Sequence, residues 1–188
     1  MRIIAGSFRG QRLASVGKGD TAAHLRPTTD RVRENLFNVL SSGRFGNGMD
    51  NARVLDLFCG TGALAFEALS RGACSIFLVD NGAKSAALAQ KNITLFSSNA
   101  EMIFKKMDAT RLPECPTEPF NLVFLDPPYG KGLGEKALRQ ALDRGWIAPN
   151  ACIVWEEAAP MTAPVGFTAV DHRKYGDTHI TILNRVPS

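Results

Sequence analysis

The sequence predicts an α/β protein: a mostly parallel, doubly wound sheet closed by an antiparallel C-terminal hairpin. Three observations carry this. Short apolar, β-prone runs alternate with longer helical patterns from residue 53 to residue 156, as expected of parallel strands joined by helical crossovers. Four successive runs end in an aspartate (Asp56, Asp80, Asp108, Asp126), and the strand ends on one rim of a parallel sheet are spatial neighbours. The last two strand-like runs are joined only by Tyr175-Gly176-Asp177-Thr178, which is too short for a crossover and suits a hairpin.

Taken in order, residues 1–44 read as a basic N-terminal extension punctuated by Gly6, Gly10, Gly17 and Gly19 and ending in a helix. Asp30 is the expected N-cap of that helix, with Val32, Leu36, Val39 and Leu40 at helical spacing as its core stripe. The body, residues 45–188, begins with a strand at 53–58 and a helix at 63–71. A strand at 75–80 then leads to a helix over Lys84–Phe96 and a strand at 101–107. A strand at 120–126 follows, then a helix at 135–144 and a strand over Ala151–Glu156. Phe167–Lys174 and His179–Arg185 form the closing hairpin. At 188 residues the whole suits one globular domain with a substantial core, and crossovers are right-handed by rule.

Composition narrows the functional classes. No stretch has the apolar length of a membrane span and the start has no signal-peptide core, so a cytoplasmic protein is expected. Cys59, Cys74, Cys115 and Cys152 show no C-x-x-C spacing and read as buried, reduced thiols. His24, His172 and His179 lack ligand spacing, so no metal is expected, and serine-hydrolase chemistry finds no support. The net charge of +4 is distributed unevenly: residues 1–44 carry +5 and the remaining 144 carry −1. A basic, glycine-rich arm leading into a helix suits phosphate contact, although a charge run is often only solvated surface.

Asp126-Pro127-Pro128-Tyr129 ends the apolar run Phe120–Leu125, where ligands of open α/β sheets bind. Each proline lacks an N–H and biases the residue before it toward extended geometry. The Asp126 carboxylate and the Pro127 carbonyl can therefore converge on an exocyclic amine, while Tyr129 offers a ring for a flipped base. Alone, the tetrapeptide reads equally well as a strand end, a Pro-Pro turn and a half-buried tyrosine. Upstream, Arg53–Leu64 has the form of a strand, a glycine loop and a helix start. Gly60-Thr61-Gly62-Ala63-Leu64-Ala65 satisfies the dinucleotide fingerprint, so the loop by itself does not name a cofactor. Asp56 tips the choice, since a carboxylate there repels a pyrophosphate and attracts a cationic amino-acid end. S-adenosylmethionine carries an ammonium and a sulfonium and no phosphate. Asp80 stands where an acid accepts ribose hydroxyls, and Asp108 where one accepts from an adenine amine. Each acid taken singly is equally at home in a turn or at a helix N-cap.

Asp56-Leu57-Phe58-Cys59-Gly60-Thr61-Gly62 together with Asp126-Pro127-Pro128-Tyr129 resembles the amino-methyltransferase branch of the Rossmann-like class I S-adenosylmethionine enzymes. Arg2–Leu13, Leu25–Leu40 and Lys174–Thr178 narrow the resemblance to the RsmD family, bacterial methyltransferases acting on a guanine N2 of 16S ribosomal RNA. Arg26-Pro27-Thr28-Thr29-Asp30-Arg31-Val32-Arg33 is its most specific part. Cys59 and Thr61 stand where alanine or glycine and serine are usual. The resemblance implies S-adenosylmethionine as cofactor and S-adenosylhomocysteine as product, held by Asp56, Phe58, Gly60, Gly62, Asp80, Asp108 and Ala109. It implies Asp126, Pro127 and Tyr129 as the catalytic set, and 16S rRNA in the small ribosomal subunit or its assembly intermediate as partner. Arg9, Arg12, Arg26, Arg31 and Arg33 are the candidate RNA contacts, with no obligate protein partner and a monomeric enzyme expected.

Three other readings compete. A DNA adenine or cytosine amino-methyltransferase uses the same D-P-P-Y logic but generally carries a base-reading domain for which 188 residues leave little room. A non-catalytic RNA-binding assembly factor does not require Asp56, Gly60, Gly62, Asp80 and Asp126 together. An NAD-linked oxidoreductase ranks behind both.

Overall fold

The computed structural model describes residues 1–15, 29–43, 45, 49–96 and 100–186. Its helices are α1 (Asp30–Leu40), α2 (Ala63–Ser70), α3 (Ala83–Leu95) and α4 (Leu133–Asp143). Its strands are β1 (Arg53–Leu57), β2 (Ser75–Asp80), β3 (Glu101–Lys106), β4 (Phe120–Leu125), β5 (Ile147–Glu157), β6 (Phe167–Tyr175) and β7 (Thr178–Arg185). These strands form one sheet in the order β3-β2-β1-β4-β5-β7-β6. The β3-β2-β1-β4-β5 ladders are parallel, and β7 runs antiparallel between β5 and β6. The chain turns back at β1, with β2 and β3 on one side and β4 and β5 on the other. The crevice beyond the carboxyl ends of β1 and β4 is therefore the topological switch point.

Strand alternation sorts the core into two layers. Val54, Leu78, Phe124 and Ile182 face Leu36, Phe37 and Leu40 of α1, Ala65 and Phe66 of α2, and Ala89 of α3. Leu55, Leu57, Val79 and Leu125 face Ala137, Leu138 and Ala141 of α4 together with Trp146. Phe37 lies 5.7 Å from Phe124, and Phe66 stacks on Phe96 at 4.6 Å. Burial of such a ring is worth about 1.5–3 kcal/mol each, so the first pair fixes α1 on the sheet and the second ties α2 to the end of α3.

The predicted elements are found, with local differences. Thr29, not Asp30, caps α1: its hydroxyl accepts from Val32 N at 3.4 Å, and Asp30 is the first helical residue. The buried face of α1 is Arg33, Leu36, Phe37 and Leu40, while Val32 and Val39 are only partly buried. β5 starts four residues earlier than expected, at Ile147, because Pro149-Asn150 reads as a turn in sequence but forms an irregularity within the strand. The register with β4 jumps from Phe120↔Ile147 to Leu122↔Cys152 there, and Asn150 has φ of 59°. Proline is tolerated in a strand at such bulges. Cys74 is exposed in the turn before β2, whereas Cys59 and Cys152 are buried.

The N-terminal arm is a small loop closed by an Arg2↔Arg12 bridge and docked on α2. Fully buried Glu67 accepts from Ile4 N at 2.7 Å, Ala5 N at 3.1 Å and Arg71 Nε at 2.7 Å. At the far end of α2, Ser7 N donates to the Ser70 carbonyl at 2.8 Å and Phe8 N to Ser70 Oγ at 2.9 Å. Gly6 permits this approach: it has φ of +84°, and a Cβ there would lie 1.8 Å from the Ser70 carbonyl oxygen. No helix among the described residues is long and apolar enough to cross a membrane.

Candidate active site

Parity puts Asp56 of β1 on the same face of the sheet as Val54, and Asp126, which follows β4, on the face of Phe124. Glu156 of β5 shares that face. Asp56 is opposite Leu78 and Phe124, so these carboxylates gather at the switch-point rim on the α1–α3 side. Asp126 N donates to the Leu57 carbonyl at 3.4 Å, which extends the β1–β4 ladder by one step into the turn.

The glycine loop leaves β1 through Phe58, whose φ of 64° is rare for a bulky residue and stores strain at the strand–loop junction. Cys59 N donates to the Val79 carbonyl at 3.0 Å and Gly62 N to the Cys59 carbonyl at 2.7 Å, so the loop is tied to β2 and to itself. Gly62, at φ +77°, caps α2, and a Cβ on it would lie 2.8 Å from Phe66 Cε2. Thr61, at the loop's centre, is buried, and its carbonyl oxygen accepts from Asn92 Nδ2 at 2.8 Å.

The three acids expected to hold the cofactor occupy distinct environments. Asp56 is 2% exposed, accepts from the Ala65 N–H at the start of α2, and leaves its Oδ2 atom without a partner. Burial, reinforced by Asp80, pushes its carboxyl up to about 8. Asp80 brackets the loop: Oδ2 accepts from Gly60 N at 2.9 Å and Oδ1 from Gly82 N at 2.8 Å. A carboxylate oxygen has a second lone pair, so both atoms retain acceptor capacity. Asp108 caps a short 3-10 turn, Ala109–Arg111, which the sequence pattern did not announce. Its Oδ1 accepts from Thr110 N at 2.9 Å and Thr110 Oγ1 at 2.8 Å, and those bonds hold its carboxyl below the usual range. Ala109 is buried beside it and Phe58 is partly buried against the α4-side core.

The D-P-P-Y turn is clasped from β5. Tyr129 Oη donates to Glu156 Oε1 at 2.6 Å and approaches Thr178 Oγ1 at 3.5 Å. Gly130 N donates to Glu157 Oε1 at 3.2 Å, and Glu157 Oε2 also accepts from Ala158 N at 2.8 Å. Pro127 is buried and Pro128 exposed, and each follows a trans peptide bond. Burial pushes the Asp126 carboxyl well above the carboxylate range, with Glu156, Asp56 and Glu157 adding to the rise. Burial, then the Glu156 bond, pushes the Tyr129 phenol up. Glu156, Glu157 and Asn92 were missed as site residues; Glu156 ends an apolar strand run as the four aspartates do, so the same rule would have found it.

The arginines divide. Arg9, Arg12 and Arg31 are exposed. Arg9 sits in the turn packed near Ser70, at the opposite end of α2 from the glycine loop, about 12 Å away by helix rise. Arg33 is fully buried, with Nη2 on the Arg2 carbonyl at 2.8 Å and on Asp30 Oδ1 at 2.7 Å, so in this conformation its guanidinium faces the protein and not solvent. Arg26 lies outside the described residues. Among the described residues no cluster of three or more His, Cys, Asp or Glu is arranged to hold a metal.

The family described as Conserved hypothetical protein 95 matches residues 1–184. The chain is 39% identical over 157 residues to Ribosomal RNA small subunit methyltransferase D of Escherichia coli K12, covering 83% of this chain and 74% of that protein. The protein belongs to the RsmD family. The RsmD relative of Haemophilus influenzae is 34% identical over 183 residues, covering 94% of this chain and 89% of its own. The solved structure of the Escherichia coli protein yhhF superposes with a TM-score of 0.82 at 32% identity, covering 100% of this chain and 99% of that one. Against the RsmD pattern, the two unusual loop residues Cys59 and Thr61 are both accommodated in buried positions. Burial pushes the Cys59 thiol well up, so it stays protonated and inert.

Proposed function

We propose that this protein transfers the methyl group of S-adenosylmethionine to the exocyclic N2 amine of a guanine in 16S ribosomal RNA. It acts in the cytoplasm as a single chain on the small ribosomal subunit or its assembly intermediate. The observation that carries the reading is the juxtaposition of Asp126-Pro127-Pro128-Tyr129 with the glycine loop across the β1–β4 switch point. The relatives are named for methylation of small-subunit ribosomal RNA, which supports the substrate class.

The residues present fit the cofactor. Asp56 keeps a buried, unpartnered oxygen beside the loop, which suits an ammonium group and, when ionised, repels a pyrophosphate. Asp80 retains acceptor capacity on both oxygens for ribose hydroxyls, and Asp108 at the β3 end suits the adenine amine. Phe58, Gly60, Gly62 and Ala109 give the close backbone surface on which the nucleoside lies. When bound, S-adenosylmethionine supplies the methyl as an electrophile.

The guanine amine is a poor nucleophile because its lone pair is delocalised into the ring, so the protein's contribution is alignment and charge. Tyr129 holds the flipped base by its face. The Asp126 carboxylate and the Pro127 carbonyl accept the two amine protons, which draws the nitrogen toward tetrahedral geometry as positive charge develops on it. Asp126 then takes one of those protons. Burial raises its proton affinity, which strengthens it as the acceptor. The basic N-terminal extension, with Arg9, Arg12, Arg26 and Arg31, contacts the RNA backbone. The experiment is transfer of labelled methyl to unmethylated small subunits, naked 16S RNA and duplex DNA in parallel. Label recovered as N2-methylguanine from ribosomal material is expected; label confined to DNA would replace the RNA reading with a DNA amino-methyltransferase.

A further inference from the structure

β5 ends at the rim in two consecutive glutamates, each only 6% exposed, and the chemistry above uses neither. Two adjacent buried carboxylates are costly unless their bonds repay the desolvation. Adjacent strand residues point to opposite faces, and here each face meets one end of the same turn. Glu156 accepts from the Tyr129 hydroxyl, and Glu157 accepts from the Gly130 N–H. Between those anchors, Pro127 and Pro128 fix the backbone and offer no N–H of their own. Every rotation left to the Tyr129 ring is then governed by its hydroxyl, whose short bond goes to Glu156 and whose longer contact goes to Thr178 of β7.

We propose that Glu156 is a positioning residue of the active site: it fixes the Tyr129 ring as the platform for the substrate base, and it acts as a second carboxylate on the sheet face that carries Asp126. The inference rests on the methyl-transfer reading. Geometry gives the first half. A phenol donating to a carboxylate makes a strong, short bond, and 2.6 Å is in that range. The identity of the acceptor gives the second half. A glutamine at this position accepts the same hydroxyl without placing a second carboxylate beside Asp126, so holding the ring alone does not require an acid. Glu156 of β5 and Asp56 of β1 share the face of Asp126, Glu157 lies on the other side of β5 and Tyr129 follows in the same turn; after burial, Glu156 is the largest contributor to the rise.

The test uses the full chain with labelled S-adenosylmethionine and whichever RNA the wild type methylates. Glu156→Gln keeps the hydroxyl acceptor and removes the charge: KM for RNA should stay within about twofold of wild type, while the acidic limb of the pH–rate profile moves to lower pH. Glu156→Ala loses both, raising KM about tenfold, the scale of one hydrogen bond to a charged group. Tyr129→Phe should raise KM to the same extent with the acidic limb unmoved, and the Glu156→Ala/Tyr129→Phe double variant should add little more. Adenosylhomocysteine affinity near that of wild type reports a folded protein in every case. If Glu156→Ala does not fold, the Gln and Phe variants carry the test alone. Wild-type KM in Tyr129→Phe, or an unmoved acidic limb in Glu156→Gln, overturns the proposal while leaving methyl transfer intact. A wild type that methylates no RNA overturns the reading on which it rests.

Discussion

Asn92 Nδ2 donates to the Thr61 carbonyl at 2.8 Å, so α3 pins the centre of the glycine loop through a single fully buried amide. The same side chain accepts from Ala14 N at 2.7 Å and donates to the Ala14 carbonyl at 3.2 Å. Loop, helix and basic arm are thus joined at one residue. Asn92→Ala strands the Thr61 carbonyl and both Ala14 groups, and each unsatisfied buried group costs on the order of 1–3 kcal/mol. The expected outcome is a loss of about 2–4 kcal/mol in urea unfolding together with weakened adenosylhomocysteine binding by calorimetry. Wild-type affinity in a destabilised variant would mean that the loop holds its shape without α3.

Asp56 makes both stability and cofactor binding depend on pH. Its carboxyl ionises near 3.8 ordinarily and near 8 in the folded protein, so the folded state holds the proton more tightly. The contribution to stability is full below about pH 4 and is lost as pH rises toward 8, on the order of 5 kcal/mol across the window. Asp56→Asn, with an amide that does not ionise, should flatten that slope and be more stable than wild type at pH 8. Affinity for the cationic amino-acid end runs the other way, since it needs the ionised form. Adenosylhomocysteine binding to the wild type should therefore tighten between pH 6 and 8 with proton release, and Asp56→Asn should bind weakly at both. Calorimetry in two buffers of different ionisation enthalpy measures the released proton directly.

Asp126→Asn separates binding from chemistry. The amide still accepts one amine proton in a hydrogen bond but takes none away. Turnover should fall about 100-fold or more, the usual scale for a positioned proton acceptor, with adenosylhomocysteine affinity changed by less than about threefold. Quench-flow of a single turnover checks this without interference from product release. Equal losses in turnover and affinity would recast Asp126 as a binding residue.

Much of this architecture was legible in the sequence because its signals are local. Apolar runs ending in acids gave β1, β2 and β4 to within a residue, and the four-residue connection at Tyr175 gave the reversed strand. What escaped depends on contacts between distant segments. Arg33 carries the charge of an RNA-facing residue, yet it lies on the buried face of α1 because the arm folds back to offer the Arg2 carbonyl 31 positions away. Glu67 looks like an ordinary helical acid until the Ile4 and Ala5 amides, more than 60 positions upstream, meet it. Pro149 hid the start of β5 because a bulge and a turn share the same residue types. Asp80 and Asp108 combine both of their sequence readings: each braces local backbone and keeps its place on the rim.

The contrast between Arg31 and Arg33 separates a phosphate contact from a structural charge two residues apart. Arg31 is exposed on the first turn of α1, where the helix N-terminus also favours an anion. Arg31→Ala should weaken RNA binding evenly across sequences and reduce the slope of log K against log salt by about 1. Arg33 is sealed beneath the arm and bonded to Asp30 and the Arg2 carbonyl. Arg33→Met keeps much of the buried volume but leaves both of those acceptors without this donor. It should lower the unfolding free energy by about 2–4 kcal/mol with the salt slope unchanged in the protein that remains folded. Filter binding from 50 to 200 mM salt, run beside urea unfolding, distinguishes the two, and a reduced salt slope in Arg33→Met would mean that α1 releases its guanidinium to the RNA on binding.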